Sequence, residues 1–291
     1  MDKETSPACP LTPAPPRRFH APVTRNTSGA SRRIVVTAPD GIEIVGATSG
    51  EGPGLAFVYG AMMEQAGWAR LLPHLPGRTL YTYDRRGRGE STDLPEYSVQ
   101  AEVDDLKAFL GALPQPVDVF GHSSGALLVL DAAGQGAPMR RLLLYEPVLP
   151  AVREPKVAFD LPGRIRALVA AGDRDGAMEA FTRDGMWLSE ADVERVRGSE
   201  RWLDQLRYVG TAAYDVTIAR TYVIEPERLG RLRMPVLLLV GSESPAWMKQ
   251  GVERFAAALP HARVEVLQGQ GHTAMFTAPV ELAGRIRAFL A

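Results

Sequence analysis

From Ile34 onward, the chain alternates short apolar runs with longer amphipathic stretches. The apolar runs at 34–36 and 42–45 flank Pro39-Asp40-Gly41 and predict a hairpin. Six further runs predict buried strands, at residues 55–59, 79–83, 117–120, 142–145, 236–240 and 264–267. Helix-length stretches lie between the later runs, at residues 101–113, 123–134, 250–259 and 280–290. This alternation predicts an α/β fold with a mostly parallel sheet covered on both faces, and with antiparallel strands at one edge.

One long interval lacks strands. Residues 148–233 contain recurring amphipathic patches, at 165–171, 177–183, 192–197, 202–208 and 214–222. A structureless loop of this length is improbable inside a compact domain. We therefore predict a helical cap or lid over the carboxyl edge of the sheet, where open α/β sheets bind ligands. The core is then formed by residues 34–147 and 234–291.

The first 33 residues differ from the rest. They contain six prolines, five arginines and few large apolar side chains. Such a segment cannot bury enough apolar surface to offset the entropy lost on ordering. We predict a disordered N-terminal tail for residues 1–33.

Composition excludes several classes of protein. The 291 residues are 45% hydrophobic and 23% charged, as in ordinary globular proteins, and the net charge of −1 gives no support to nucleic-acid binding. The single cysteine, Cys9, excludes an intrachain disulfide and any zinc site with two thiolates. No apolar run approaches the roughly 20 residues of a membrane span, and no hydrophobic stretch follows Arg17-Arg18 to complete an export signal. We expect a cytoplasmic protein that binds a small molecule, with no cofactor and no metal.

The strongest local motif is Gly121-His122-Ser123-Ser124-Gly125. It follows a predicted buried strand and opens a predicted helix. A turn this sharp strains the central residue and requires glycines where strand and helix approach each other. The turn raises the Ser123 hydroxyl above the sheet, and the N–H of Ser124 points to where an oxyanion would form. Ser123 is therefore the candidate nucleophile.

With this motif, residues 35–290 resemble the α/β-hydrolase superfamily. Asp-Arg-Arg-Gly-Arg-Gly-Glu-Ser at 84–91 is similar to the family's Asp-x-Arg-Gly-x-Gly-x-Ser loop, a structural signature to which we assign no catalytic role. The resemblance implies a mostly parallel eight-stranded sheet flanked by helices, with a helical lid inserted after the sixth strand.

The resemblance also assigns roles to residues. Tyr59-Gly60-Ala61 occupies the family's His-Gly-x position, with Tyr59 in place of histidine. The N–H of Ala61 is then the second oxyanion donor, beside that of Ser124. His272, after the last strand and before the final helix, stands where the family has its catalytic histidine. A serine hydroxyl needs such a base, because it is a poor nucleophile at neutral pH.

The third member of the triad stays open. The family most often has Gly-x-x-Asp-Pro after the seventh strand, but residues 241–245 read Gly-Ser-Glu-Ser-Pro, so Ser244 is at the acid position. Glu243 is one residue early. Glu146 ends the sixth strand, where some members, including certain dehalogenases, have their acid, and its longer side chain suits a more distant start. We favour Glu146, keep Glu243 as the alternative, and leave open that neither serves.

Side chains that could line a substrate pocket are Tyr59, Met62, Trp187, Tyr214 and Met275, although half or more could instead be structural. We expect a serine hydrolase that cleaves an ester, lactone or thioester of a small apolar substrate through an acyl-enzyme on Ser123. The alternatives are a non-hydrolytic enzyme of the same fold (a lyase, a cyclase or a cofactor-free peroxidase-like enzyme) and a ligand-binding protein that reuses the pocket.

Overall fold

The computed structural model describes residues 31–149 and 160–291. In these ranges, eight strands form one sheet in the order β1-β2-β4-β3-β5-β6-β7-β8. The strands are β1 (Arg32–Thr37), β2 (Glu43–Ser49), β3 (Gly54–Val58), β4 (Thr79–Tyr83), β5 (Val117–His122), β6 (Leu142–Tyr145), β7 (Val236–Gly241) and β8 (Arg263–Leu267). Strand β2 is antiparallel to β1 and β4, and the remaining neighbours are parallel. The predicted sheet and its antiparallel edge are confirmed.

Helices cover both faces of the sheet. They are α1 (Val99–Gly111), α2 (Ser124–Gly134), α3 (Leu161–Ala170), α4 (Arg174–Ala180), α5 (Glu190–Val196), α6 (Glu200–Gln205), α7 (Ala212–Thr221), α8 (Pro226–Leu229), α9 (Ala246–Ala258), α10 (Ala274–Thr277) and α11 (Pro279–Leu290). Alternate side chains of the strands point to opposite faces, so β5 buries Val119 in one apolar cluster and Phe120 in the other. Helices α1, α2 and α9 complete the first cluster, and α10 and α11 contribute to the second.

Helices α3 to α8 lie between β6 and β7, as the interruption of the strand pattern predicts. We call residues 160–229 the helical segment. Its side chains form a third apolar cluster, which includes Ile165, Phe181 and Trp202. The C-terminal part of α7 packs instead into the first cluster, through Ile218. The helical segment therefore contacts the sheet layer as well as packing on itself.

The N-terminal boundary is earlier than predicted. Strand β1 begins at Arg32, which pairs with Thr48, and Arg33 pairs with Ala47. The hydrophobic pattern did not include these two arginines, because their side chains are polar. An edge strand that is largely exposed, as β1 is, can contain such residues. Residues 1–30 of the predicted tail lie outside the described residues, as do residues 150–159 of the predicted lid.

Candidate active site

The turn between β5 and α2 holds Ser123 in a strained conformation. Its φ is 58° and its ψ is −127°, a region that residues with a Cβ rarely adopt. Its N–H donates to the carbonyl of Tyr145 at 3.0 Å, so β6 holds the turn from the neighbouring strand. Ser123 thus lies at the carboxyl edge of the sheet, at the N-terminus of α2.

The chain after β3 passes directly over this turn. A Cβ added to Gly60 would lie 2.5 Å from the Cβ of Ser123, and one added to Gly125 would lie 2.3 Å from the carbonyl oxygen of Tyr59. Only glycine permits such an approach. None of the hydrogen bonds of the described residues uses the N–H of Ala61. Ser124 begins α2, where N–H groups lack acceptors within the helix. Among the hydrogen bonds of the described residues, neither of the two predicted oxyanion donors is therefore committed to an acceptor.

His272 links Ser123 to Glu146 through its two ring nitrogens. The Nε2 atom lies 3.1 Å from Ser123 Oγ, and the Nδ1 atom lies 2.6 Å from Glu146 Oε2. The three residues follow β5, β6 and β8, which end at the same edge of the sheet. This geometry allows the imidazole to take the serine proton while the carboxylate holds Nδ1 protonated.

Glu146 is almost fully buried, at 1% exposed, and both of its carboxylate oxygens accept hydrogen bonds. Its Oε1 accepts from the N–H of Gly241 at 2.7 Å and from the hydroxyl of Ser244. Burial raises the pKa of this carboxyl, but the hydrogen bonds from His272, Ser244 and Gly241 outweigh burial and lower the pKa below its ordinary value. Glu146 is therefore ionised at neutral pH and can stabilise a protonated imidazole.

Glu243, the alternative acid, is directed elsewhere. It is exposed, and its Oε1 accepts from the hydroxyl of Ser242 at 3.0 Å. Its N–H donates to the carbonyl of Gln270 at 2.9 Å. Among the residues that the structure describes, His272 therefore contacts Glu146 and not Glu243.

Two side chains hold the loop that carries His272. The hydroxyl of Tyr145 donates to the carbonyl of Gly271. The Nε2 atom of His122 lies 2.9 Å from the carbonyl oxygen of His272 and must donate, because a carbonyl only accepts. Burial lowers the pKa of His122 well below its ordinary value, so its ring is neutral. The backbone of His272 is thus fixed from the sheet.

A buried charge network lies beside the loop at 59–61. Arg85 donates to Glu102 at 2.5 Å and to Asp215 of α7 at 2.8 Å, and Arg88 donates to Asp215 at 2.6 Å. The four side chains are at most 4% exposed. The network joins the signature loop at 84–91 to the helical segment.

In the same loop, Asp84 has the structural role that the sequence predicts. Its carboxylate accepts from the backbone N–H groups of Gln65 at 2.8 Å and Glu90 at 3.1 Å. The neighbouring Arg86 is also structural, because it forms ion pairs with Asp105 and Asp40.

Two of the predicted pocket residues lie in the packed core. The side chain of Tyr59 is 0% exposed, and its hydroxyl accepts from the N–H of Arg85 at 2.9 Å. Met275 is also 0% exposed and belongs to the second apolar cluster. Neither side chain has surface for a ligand, so their assignment to the pocket is corrected. The apolar character of both residues serves packing.

The remaining pocket candidates join the helical segment to the rest of the fold. Met62, two residues after Gly60, packs into the third apolar cluster. Trp187 packs edge-on against Trp247 of α9, with ring centroids 4.6 Å apart. These contacts bring the helical segment to the edge of the sheet that carries Ser123.

Tyr214 makes contacts of a different kind. Its ring stacks on Tyr97 at 3.9 Å, and its hydroxyl donates to Asp93 at 2.9 Å. Burial and the hydrogen bond to Asp93 raise the pKa of Tyr214 to about 12, so the hydroxyl stays protonated. This side chain fastens α7 to the loop before α1.

Sequence reasoning missed the roles of three residues. Ser244 donates to the carboxylate of Glu146 from the position where the family most often has its acid, and the unusual residue there was the only signal. Asp215 lies on the buried face of α7 among apolar neighbours, so a charged residue at an apolar position of the helical pattern was its signal. His122 left no sequence signal beyond its place in the turn.

The described residues contain no helix long and apolar enough to cross a membrane. In the same ranges, no group of three or more His, Cys, Asp or Glu side chains is arranged to hold a metal ion. The expected lack of a cofactor stays a prediction.

The sheet order, the strained serine turn and the hydrogen-bonded serine, histidine and glutamate are features of an α/β hydrolase. Residues 53–285 match the model of the alpha/beta hydrolase family, and the chain belongs to that family.

Three similar proteins are informative. The chain is 28% identical over 236 residues to an N-formylmaleamate deformylase of Pseudomonas putida. The matched region covers 77% of this chain and 83% of the deformylase. It is 23% identical to an (E)-2-((N-methylformamido)methylene)succinate hydrolase of Acinetobacter baylyi, over 83% of this chain and 91% of that hydrolase. The crystal structure of an alpha/beta hydrolase from Sphaerobacter thermophilus is 34% identical, with a TM-score of 0.80 over 89% of this chain and 100% of that one. Relatives named as hydrolases support an enzyme with hydrolase activity of the α/β type.

Proposed function

We propose that this protein is a serine hydrolase that works through an acyl-enzyme on Ser123. The observation that carries the proposal is the chain of hydrogen bonds from Ser123 Oγ to His272 Nε2 at 3.1 Å, and from His272 Nδ1 to Glu146 at 2.6 Å. A nucleophile, a base and a group that orients the base are the three parts that this chemistry requires.

In the proposed reaction, His272 removes the proton of Ser123 as the oxygen attacks the substrate carbonyl. The N–H groups of Ala61 and Ser124 hold the negative oxygen of the tetrahedral intermediate. His272 then gives its proton to the leaving group, and the bond between the carbonyl carbon and that group breaks. Water, activated by the same imidazole, attacks the acyl-enzyme and releases the acid.

The helical segment acts as a lid in this proposal. Two contacts support it. Met62, just after the loop at 59–61, is buried among side chains of the helical segment. Trp187 packs on Trp247 beside the carboxyl edge of the sheet. An apolar lid suits an ester, lactone or thioester of a small apolar molecule, because it removes apolar surface from water.

A second candidate substrate is an N-formyl amide. The relatives from Pseudomonas putida and Acinetobacter baylyi are named for N-formylmaleamate and for an N-methylformamido-methylene succinate. Both of these compounds have a formyl group on nitrogen and at least one carboxylate. Hydrolysis of a C–N bond uses the same nucleophile and base, with His272 protonating the leaving nitrogen.

Labelling with a fluorophosphonate tests the nucleophile. We expect one phosphonate per folded molecule, attached to Ser123 as located by mass spectrometry. Ser123→Ala should remove labelling and lower kcat by about 10⁶-fold. The matched control is Ser242→Ala, which removes the hydroxyl of another serine at the same edge of the sheet. It should leave labelling and kcat unchanged. Folded wild-type protein that turns over substrate without reacting at Ser123 would refute the acyl-enzyme.

A substrate panel separates the two substrate classes. Nitrophenyl esters of increasing acyl length, lactones and N-formyl amides with and without a carboxylate are compared by kcat/KM. A preference for neutral esters supports the first candidate. A higher kcat/KM for a carboxylate-bearing N-formyl amide supports the second.

A further inference from the structure

We propose that Asp215, a residue of the helical segment, positions both oxyanion donors. It acts on Ser124 directly and on the peptide between Gly60 and Ala61 through Arg85. The inference deepens the proposed function and rests on it. Asp215 is a positioning residue, because its contacts are with the groups that hold the donors and not with the reacting atoms.

The first link is direct. Asp215 Oδ1 accepts a hydrogen bond of 2.6 Å from the hydroxyl of Ser124. Ser124 is the first residue of α2, and its N–H is one of the two proposed donors. The hydroxyl therefore ties the start of α2 to α7, and holds the residue whose N–H would face the oxyanion.

The second link passes through Arg85. The same Asp215 oxygen accepts from Arg85 Nη1 at 2.8 Å, and Nη1 lies 3.1 Å from the carbonyl oxygen of Tyr59 and 3.3 Å from that of Gly60. The Gly60 carbonyl and the Ala61 N–H belong to one peptide unit. In a planar trans peptide these two groups point in opposite directions. A guanidinium that holds the carbonyl therefore turns the N–H toward the opposite side.

The strength of this hold follows from burial and charge. Arg85 is 0% exposed and Asp215 is 4% exposed. Burial raises the pKa of Asp215, but Arg88 and Arg85 outweigh it and keep the pKa below its ordinary value, so the carboxylate is ionised. Glu102 and Asp215 balance the charges of the two arginines. The network adds no net charge beside the site, and its effect on the oxyanion is orientation.

The inference couples the lid to catalysis. Asp215 lies in α7, whereas Gly60, Arg85 and Ser124 belong to the sheet layer. A misplaced α7 would release the Gly60 carbonyl and leave the peptide able to rotate. Oxyanion donors act more strongly on the transition state than on the bound substrate, so losing the hold lowers kcat and leaves KM nearly unchanged.

The test compares Asp215→Asn with wild type. Active sites are counted by titration with the fluorophosphonate, and kcat is expressed per titrated site. We expect kcat to fall by about tenfold to hundredfold with KM within about twofold, less than the 10²–10³-fold cost of removing an oxyanion donor outright. Phosphonylation should slow by a similar factor, because the phosphoryl oxygen occupies the same hole. A purely structural role would reduce the number of titrated sites and leave kcat per site unchanged, which would overturn the inference.

The matched control is Asp118→Asn. Asp118 is also a buried aspartate between two arginines, Arg78 and Arg140. It lies five residues before Ser123 along β5, at a separation of about 16 Å for an extended strand. We expect it to lower stability and leave kcat per site unchanged. An equal fall of kcat in both variants would show that any lost aspartate ion pair slows the enzyme, and would overturn the inference.

Ser124→Ala covers the case in which Asp215→Asn does not fold. It removes the hydroxyl that ties α2 to Asp215 and leaves every ion pair of the network in place. We expect a fall in kcat of about threefold to tenfold at unchanged KM, as for the loss of one hydrogen bond of about 1 kcal/mol; unchanged kcat overturns the inference. If wild type is neither labelled nor active, the proposed function itself fails. If wild type is labelled and active and the variants match it, only the positioning role fails.

Discussion

The two ends of the parallel strands carry buried carboxylates with different partners. Asp118, near the start of β5, accepts from the guanidinium groups of Arg78 at 3.0 Å and Arg140 at 2.8 Å. Glu146, directly after β6, accepts from backbone and hydroxyl donors and from the imidazole of His272. Arginine keeps its proton, whereas an imidazole gains and loses one near neutral pH. The first carboxylate therefore fastens loops together, and the second is suited to support proton transfer.

The largest expected effect separates the two carboxylates by activity. Glu146→Gln should lower kcat by about 10⁴-fold, because the amide cannot hold the histidine tautomer or stabilise the protonated ring. Asp118→Asn should leave kcat within about twofold of wild type, because its partners are remote from the reaction. Glu243→Gln, the control for the alternative acid, should also leave kcat within about twofold of wild type. Steady-state kinetics of the three variants decide the matter, and a larger loss in Glu243→Gln than in Glu146→Gln would refute the assignment of the acid.

The second effect tests whether the acid can be moved. The hydroxyl of Ser244 contacts the carboxylate of Glu146, so a carboxylate at position 244 would begin close to the same place. The exchange Glu146→Ser with Ser244→Asp should be about tenfold or more faster than Glu146→Ser alone, because it restores a negative partner for His272. The measurement is kcat of the two proteins, and Ser244→Asp alone serves as the control. A double variant no faster than the single one would show that the aligned position cannot reach the imidazole.

The third effect is on stability and concerns Asp118, whose replacement is expected to leave kcat unchanged. Asp118→Asn leaves two arginines without their counter-charge, but Arg78 and Arg140 are 15% and 32% exposed, so solvent reduces the penalty. We expect a loss of about 1–3 kcal/mol in the free energy of unfolding, or about 2–4 °C in Tm for each kcal/mol. Urea and thermal unfolding measure it. A variant as stable as wild type would contradict a fastening role for Asp118.

The smallest effect concerns pH. The pKa of Glu146 is lower in the folded protein than its ordinary value of 4.5, so the unfolded chain binds the proton more readily. The carboxylate therefore contributes stability above pH 4.5, and this contribution is lost as the pH falls through the folded pKa. We expect the difference in unfolding free energy between wild type and Glu146→Gln to narrow as the pH is lowered past 4.5 and through the folded pKa. A difference that widens on acidification would mean that the folded pKa is raised instead.

Much of the fold and part of the candidate site follow from local patterns. The period of the apolar runs predicted each strand of the sheet to within a few residues, because buried strands need continuous apolar sequence. The turn around Ser123 was recognisable from local sequence as well, because a sharp strand-to-helix turn needs glycine at fixed spacings. The edge strand β1 was placed two residues too late, because an exposed strand need not be apolar.

Other features depended on distances between remote segments. Glu146 and Glu243 were both plausible as acids, and only the fold brings the end of β6 to His272 while turning Glu243 toward Ser242. The placement of Asp215 beside Ser124 depended likewise on how α7 packs on the sheet. The burial of Tyr59 depended on the remote residues that form the second apolar cluster around it. Local sequence specifies backbone conformation, because steric limits and burial act residue by residue. Hydrogen-bond partners far apart in the chain are decided by tertiary packing, because a shift of a few ångströms makes or removes a bond.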